Sequence, residues 1–346
     1  MRRFPVLIFL LFFFNHVIDA QSLNIRDTTW QTEAGIELQG TIGSLAVPES
    51  REAVDSEEIK VHFIKIKSLK PSTLPPLIYL EGGPGASASW QAFREFGIKN
   101  WLPILEVCDV ILLDQRGTGQ EEARTLSIVS EEIPRTILSD EKVRNAHFEK
   151  LRTKALKDFA ERNINLNGYN SLESAKDIED LRKALGYEQL SIMGFSYGSH
   201  LGQTYMKYFP NSVARSILIG TEGLDHTCKT PLSVDIHLQK IAGLVAADEN
   251  IGTQVPDFVA LYQEVKKKLD KESAVIEVQS PLIGEMMQMP VASFGLDLIL
   301  FFDLGDASDI PTFPRLLHQI NQGNYDMLRW FVQKRIGMFY GIHGMG

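Results

Sequence analysis

Short apolar runs and longer stretches with apolar positions three and four apart alternate along most of this chain. Gly35 to Val47 and Ile59 to Ile66 alternate apolar and polar residues, which predicts two paired antiparallel strands with one apolar face. A proline-rich connection, Pro71 to Pro76, leads into Leu77-Ile78-Tyr79-Leu80, a predicted buried strand. Ala88 to Phe96 begins a helix, and Val107 to Leu113 is another buried strand. The charged stretch Gln120 to Asn167 reads as a helical surface excursion. Asn170 and Glu173 bracket a helix start in capping-box fashion, and Leu172, Ala175, Ile178, Leu181 and Leu185 form its apolar stripe up to Gly186. Leu190 to Met193 is a strand, His200 to Tyr208 a helix, and Val213 to Ile219 one more buried strand. Strands alternating with helices after an antiparallel start define an α/β fold with a mostly parallel sheet covered on both faces.

From Leu224 onward the pattern turns helical. Pro256 opens a helix with the stripe Phe258, Leu261, Tyr262, Val265 and Leu269, and Lys266-Lys267-Lys268 as its solvated side. Pro311 opens another, carrying Phe313, Leu316, Leu317 and Ile320. At the other end, Arg2 and Arg3 precede the apolar run Val6 to Phe14, and Ile18-Asp19-Ala20 offers a small-residue cleavage site before Gln21. That is the pattern of a secretory signal peptide, and the run is too short for a membrane span. The expected organisation is therefore residues 1–20 as signal peptide, 21–224 as an α/β core and 225–346 as a mostly helical cap. The formal charge of −9 argues against nucleic acid or an anionic membrane as partner. Export permits disulfides, but with only Cys108 and Cys228 present, two free thiols are expected, and no cysteine–histidine cluster has metal-ligand spacing.

The candidate chemistry centres on Gly194-Phe195-Ser196-Tyr197-Gly198-Ser199. A Gly-x-Ser-x-Gly turn between a strand and a helix is the signature of a nucleophile elbow. The serine oxygen stands clear of the sheet, and Gly194 and Gly198 avoid clashes where strand and helix crowd together. A second loop, Gly82-Gly83-Pro84-Gly85, follows a strand's carboxyl end, where open α/β sheets place their sites. Acyl transfer needs fixed donors for an oxyanion, and Pro84 has no N–H. The expected donors are the N–H groups of Gly83, with Gly82 as the other option, and of Tyr197.

Glu81-Gly-Gly-Pro-Gly85, Asp114-Gln-Arg-Gly-Thr-Gly119 and Gly194-Phe-Ser-Tyr-Gly-Ser199, in this order and spacing, resemble the prolyl aminopeptidase family of α/β-hydrolase serine peptidases, above all its secreted tripeptidyl aminopeptidase branch. The resemblance spans about residues 30 to 340. It implies an α/β-hydrolase fold with a helical cap and an exopeptidase that works from a free amino terminus without metal or cofactor. It also implies a scaffold role for Asp114 and Arg116. Two departures are visible: Glu81 stands where many members have histidine, and Gln120 where they usually have serine.

Ser196 needs a base and that base an orienting carboxylate. The family's last two strands, with their Asp and His, are expected after residue 346, so residues 21–346 should show no turnover. The alternative inside the chain makes Leu298 to Phe302 a strand, Asp306 or Asp309 the acid and His343 the base; it predicts turnover that His343→Ala destroys. His200 is expected to pack, pointing away from the serine oxygen, and His62, His147, His237 and His318 to lie on strand or helix surfaces. A substrate ammonium calls for a carboxylate. Glu222 is the first candidate, Asp225 the second and Glu81 the third, each with an ordinary acidic loop as the competing reading; His226 lies beside the first two. The expected function is a secreted or periplasmic serine aminopeptidase acting through an acyl-enzyme on Ser196, on peptides with a free amino terminus. An ester- or amide-hydrolysing relative and a non-catalytic family member are the alternatives.

Overall fold

The computed structural model describes residues 22–93, 95–119, 132–225 and 230–339. Its first half is organised by seven strands: β1 (Leu23–Gln31), β2 (Glu37–Pro48), β3 (Glu58–Ile66), β4 (Leu77–Leu80), β5 (Val110–Leu113), β6 (Leu190–Phe195) and β7 (Val213–Ile219). They form one sheet in the order β1-β2-β3-β5-β4-β6-β7. The pairs among β1, β2, β3 and β5 are antiparallel, and those among β5, β4, β6 and β7 are parallel. The sheet is thus mixed, with its parallel part where the short apolar runs predict it. The chain steps outward from β4 to β5 and then crosses to β6 on the other side of β4. That reversal opens a crevice at the carboxyl ends of β4 and β6.

Strand β1 escapes the sequence pattern because most of its residues are exposed; only Leu23, Thr28 and Trp30 are half-buried. Its position is set by pairing with β2, Trp30 opposite Leu38. The helix read from Ala88 is in fact a short 3-10 turn over Ser89–Phe93, with α1 at Glu95–Leu105. Cys108 precedes β5 rather than opening it; it is buried and free, and burial raises its thiol pKa. Cys228 lies outside the described residues.

Helices α1, α3 (Ser171–Ala184) and α4 (Tyr197–Tyr208) cover the sheet, whereas α2 (Glu141–Glu161) packs Ala155 and Phe159 on Ile164 in a small cluster of its own. Ile178 and Leu181 of α3 and Leu201 and Tyr205 of α4 pack on Phe63, Ile78, Leu80 and Ile192. On the opposite face Ile98, Trp101 and Leu105 of α1 pack on Ile64, Tyr79 and Leu112. Each such fully buried aliphatic side chain contributes about 1.5–3 kcal/mol. Asn170 caps α3 by accepting from Glu173 N at 2.9 Å, but the Glu173 carboxylate turns to Arg51 and Lys176, so only half of the capping box forms.

Glu179 joins α3 to α4. It accepts from Arg182 Nη2 at 2.7 Å and from the Tyr205 hydroxyl at 2.9 Å. Burial alone would raise its pKa, but these hydrogen bonds outweigh it and hold the carboxyl at about 2. A carboxylate lowered on folding adds stability above its unfolded pKa and loses it as pH falls through the folded value. Glu179→Gln is therefore expected to flatten the loss of thermal stability between about pH 4.5 and 2. Parallel melting curves for variant and wild type across that window would refute the assignment.

The second half carries its own apolar core. It is built from α5 (Pro231–Ala247), α6 (Ile251–Gln254), α7 (Phe258–Lys271), β8 (Ala274–Gln279), β9 (Met286–Val291), α8 (Ser293–Asp303), α9 (Phe313–Asn321) and α10 (Asp326–Arg335). Val265, Leu269, Leu296, Phe313, Leu317 and Phe331 are central to it, and Ile133, Ile137 and Leu138 join from the stretch before α2. The β8–β9 hairpin departs from an all-helical reading, with Ala274, Ile276 and Val278 buried in alternation. Leu298 to Phe302 lies within α8, so it is not the strand that the internal alternative requires. His147 is likewise not a surface residue: it is buried, with Nε2 3.0 Å from Phe339 O. Among the described residues no helix is long and apolar enough to cross a membrane.

Candidate active site

Ser196 sits between β6 and α4 with φ 51° and ψ −123°. A β-carbon pays for positive φ in steric strain, so the surroundings must impose this conformation. They do so through close contact. A Cβ on Gly198 would stand 1.9 Å from Leu80 O, and one on Gly194 2.3 Å from Gly198 O. The backbone is further tied by Ser196 N donating to Ile219 O at 2.8 Å and by Ser199 Oγ donating to Ser196 O at 2.6 Å.

Glu222, in the loop after β7, is brought to this turn. Ser196 Oγ donates to Glu222 Oε1 at 3.1 Å. The glutamate backbone is fixed from α4: its N–H donates to Ser199 Oγ at 2.9 Å, and Gln203 Nε2 donates to its carbonyl at 2.6 Å. Ser199 and Gln203 were not singled out from sequence. The available signal was their spacing, three and seven residues past Ser196 and four apart, which puts both on the helix face beside the elbow.

The glycine loop lies against the serine. A Cβ on Gly82 would be 3.0 Å from both Ser196 Cβ and Phe195 O. Glu81 Oε1 accepts from Gly82 N at 2.9 Å and from the Tyr79 hydroxyl at 3.0 Å, while Oε2 accepts from Gln91 Nε2 at 2.6 Å. Burial and the Glu81 charge push Tyr79 up to about 12, so it stays a donor. Gly82 N–H is thereby occupied. Among the described residues the N–H groups of Gly83 and Tyr197 meet no acceptor. Gln115 Nε2 donates to Glu81 O at 2.8 Å, and Asp114 accepts from Ser87 Oγ, Ser89 N and Ser89 Oγ at 2.6–2.9 Å. Arg116 forms a two-pronged bond to Asp177, both at 2.7 Å, and donates to Glu49 O and Gly168 O at 2.6 and 2.5 Å. This turn braces the loop from beneath. A cavity of about 250 Å³ lined by Pro84, Gly85, Gln115, Ser171 and Tyr197 adjoins it.

Of the three carboxylates considered for an ammonium, only Glu222 touches Ser196 among the described residues. Glu81 is held by the loop, and Asp225 is exposed. No described histidine meets Ser196 Oγ. His200 stacks on Tyr197 at 5.6 Å, in agreement with a packing role, and its Nδ1 is buried without a partner among the described residues. His237 Nε2 is likewise buried with no partner among the described residues, and His318 Nε2 lies 2.9 Å from Gln322 Nε2. His226 and His343 lie outside the described residues. Asp309 accepts from Lys334, and Asp303 from Lys334 and Arg335 at 3.1 and 2.5 Å. Asp306 accepts from Ser308 Oγ at 2.6 Å and lies 3.8 Å from Lys334. These aspartates form an ion-pair cluster between α8 and α10, which together with the helical α8 takes away the basis of the internal acid.

A strained serine at a strand–helix turn, beside a glycine loop at the switch point of a mixed sheet, defines a nucleophile elbow. Residues 75–257, more than half of the chain, match the α/β hydrolase fold family, and the chain belongs to it. It is 29% identical over 194 residues to serine protease Hip1 of Mycobacterium tuberculosis, covering 51% of this chain and 35% of that protein. It is 27% identical over 148 residues to a tripeptidyl aminopeptidase of Streptomyces coelicolor, 41% of this chain and 27% of that one. It is also 27% identical over 178 residues to a proline iminopeptidase of Aeromonas sobria, 50% and 35%. The chain spans about a third of the length of the curated relatives it matches.

Proposed function

We propose that this protein is a secreted serine peptidase that cleaves peptides near a free amino terminus through an acyl-enzyme on Ser196. The observation that carries the reading is the strained Ser196 turn, set against a glycine loop whose Gly83 N–H is left open. The names of the relatives, serine protease and aminopeptidase, favour a peptide bond over other acyl groups. In this reading Ser196 Oγ bonds to the carbonyl carbon and its proton passes to a base outside the described residues. The carbonyl oxygen gains charge between Gly83 N–H and Tyr197 N–H. The C–N bond then breaks, the leaving amine takes the proton, and water hydrolyses the ester by the reverse path. Glu222 is the proposed holder of the substrate ammonium, and Asp225 and Glu81 are secondary to it. No cofactor enters the scheme.

The test compares a prolyl or alanyl aminomethylcoumarin amide with p-nitrophenyl butyrate on the full-length protein. Peptide-type amide hydrolysis that requires a free amine is expected; hydrolysis of the ester alone would replace the peptidase reading with an esterase. Secretion has a separate test. Amino-terminal sequencing of exported protein is expected to begin at Gln21, and material beginning at Met1 would contradict export with cleavage.

A further inference from the structure

We infer that Ser199, which has no part in the scheme above, is a positioning residue: its buried hydroxyl aims the Tyr197 N–H at the oxyanion. The inference rests on the reading of Ser196 as an acyl-enzyme nucleophile and deepens it. Ser199 lies three residues past the nucleophile, in the first turn of α4, and is fully buried. Its Oγ donates to Ser196 O at 2.6 Å and accepts from Glu222 N at 2.9 Å. Gln203, one turn further along the same helix, donates to Ser199 O at 3.2 Å and to Glu222 O at 2.6 Å. Both backbone groups of Glu222 are therefore tied to α4, and the tie on the N–H side ends at the nucleophile's own carbonyl.

That carbonyl shares a peptide plane with the proposed oxyanion donor. Ser196 C=O and Tyr197 N–H belong to one trans peptide unit, planar and stiff, whose two polar groups point in opposite directions. Whatever grips the oxygen thereby sets the line along which the N–H points. Two donors grip it, Ser199 Oγ at 2.6 Å and Ser199 N at 2.8 Å. The hydrogen bonds also run in one sense, from Glu222 N–H to the Ser199 hydroxyl, then to Ser196 C=O, and through the amide to Tyr197 N–H. In such a chain each bond polarises the next, so the last N–H becomes a stronger donor. Tyr197 opens α4, so its N–H has no partner within the helix, and it meets no acceptor among the described residues. It is left for a charge that appears only during reaction. Ser199→Ala weakens both effects: the peptide plane keeps one grip of two, and Glu222 N–H loses its acceptor.

The experiment compares full-length wild type with Ser199→Ala, well below the melting temperature of either. It measures kcat and KM on alanyl aminomethylcoumarin amide or p-nitrophenyl butyrate, whichever wild type hydrolyses, and the rate at which a fluorophosphonate modifies Ser196. In S199A kcat and kcat/KM are expected to fall together by about ten- to a hundredfold, since a misaimed donor fails only in the transition state. KM should stay within about twofold of wild type. The phosphonylation rate should fall in parallel, because the phosphoryl oxygen draws on the same donors. If S199A does not fold, Ser199→Cys takes its place: the thiol keeps the shape but donates weakly, and the same losses are expected at about threefold or more. A folded variant that melts lower than wild type but keeps kcat and phosphonylation within about twofold would make Ser199 purely structural and overturn the inference. A loss confined to KM would overturn it too, since the hydroxyl would then act on Glu222 and not on the oxyanion. If wild type shows neither Ser196-dependent hydrolysis nor an adduct on Ser196, the underlying reading falls and this inference with it.

Discussion

In the full-length protein, Ser196→Ala is expected to lower turnover by about 10⁶, leaving only what binding and the oxyanion donors supply. The effect should be almost wholly chemical. Among the described residues the Ser196 side chain makes one hydrogen bond, to Glu222, and the turn is held by backbone contacts that alanine keeps. The variant should therefore melt within a degree or two of wild type, a surface-sized change of about 0.5 kcal/mol or less. Turnover above about one per cent of wild type would mean that another residue is the nucleophile.

A second large effect is expected far from any bond that is broken. Arg116 is 3% exposed and satisfies Asp177 with two parallel hydrogen bonds, besides two backbone carbonyls. Arg116→Met would leave Asp177 with Arg51 as its main cation and Glu173 with Arg51 and Lys176, in a region where charge is costly to bury. A loss of about 3–5 kcal/mol in urea unfolding is expected, a large part of a typical domain's stability. Arg116→Lys should recover little, because a single ammonium cannot replace a planar fork that serves a carboxylate and two carbonyls. A loss under about 1 kcal/mol for Arg116→Met would show that Arg51 and Lys176 suffice to hold the acidic pair.

The elbow was legible because part of its constraint is local. Gly194 answers to Gly198 and Ser199, four and five residues on, so sequence spacing carries that part of the geometry, while Gly198 answers to Leu80 of a distant strand. The buried strands β4 and β5 were legible as apolar runs bounded by turn residues. The run Val213 to Ile219 also forms a strand, β7, but not a buried one: it lies at the sheet edge with most of its residues exposed. Strand β1 was not legible, because an exposed edge strand is specified by its partner's backbone and not by a hydrophobic pattern. Leu298 to Phe302 shows the reverse ambiguity: a short apolar run suits a strand or a buried helix equally, so the strand stayed open as an alternative, and the run lies within α8. The β8–β9 hairpin carried its period of two in Ala274, Ile276 and Val278, inside a region whose longer helices dominate the pattern. The meeting of Glu222 with Ser196 depends on how β7 aligns with β6, and the occupation of Glu81 Oε2 on Gln91, 10 residues on. Neither contact is written in any local spacing.

The most direct test of Ser196 as nucleophile is covalent. The full-length protein is treated with a fluorophosphonate, which phosphonylates a serine oxygen with loss of fluoride, and the modified peptide is identified by mass spectrometry. One adduct is expected, on Ser196, appearing in step with the loss of hydrolysis and missing from Ser196→Ala. Inactivation with Ser196 unmodified, or an adduct on a different serine that tracks the loss of activity, would contradict the account.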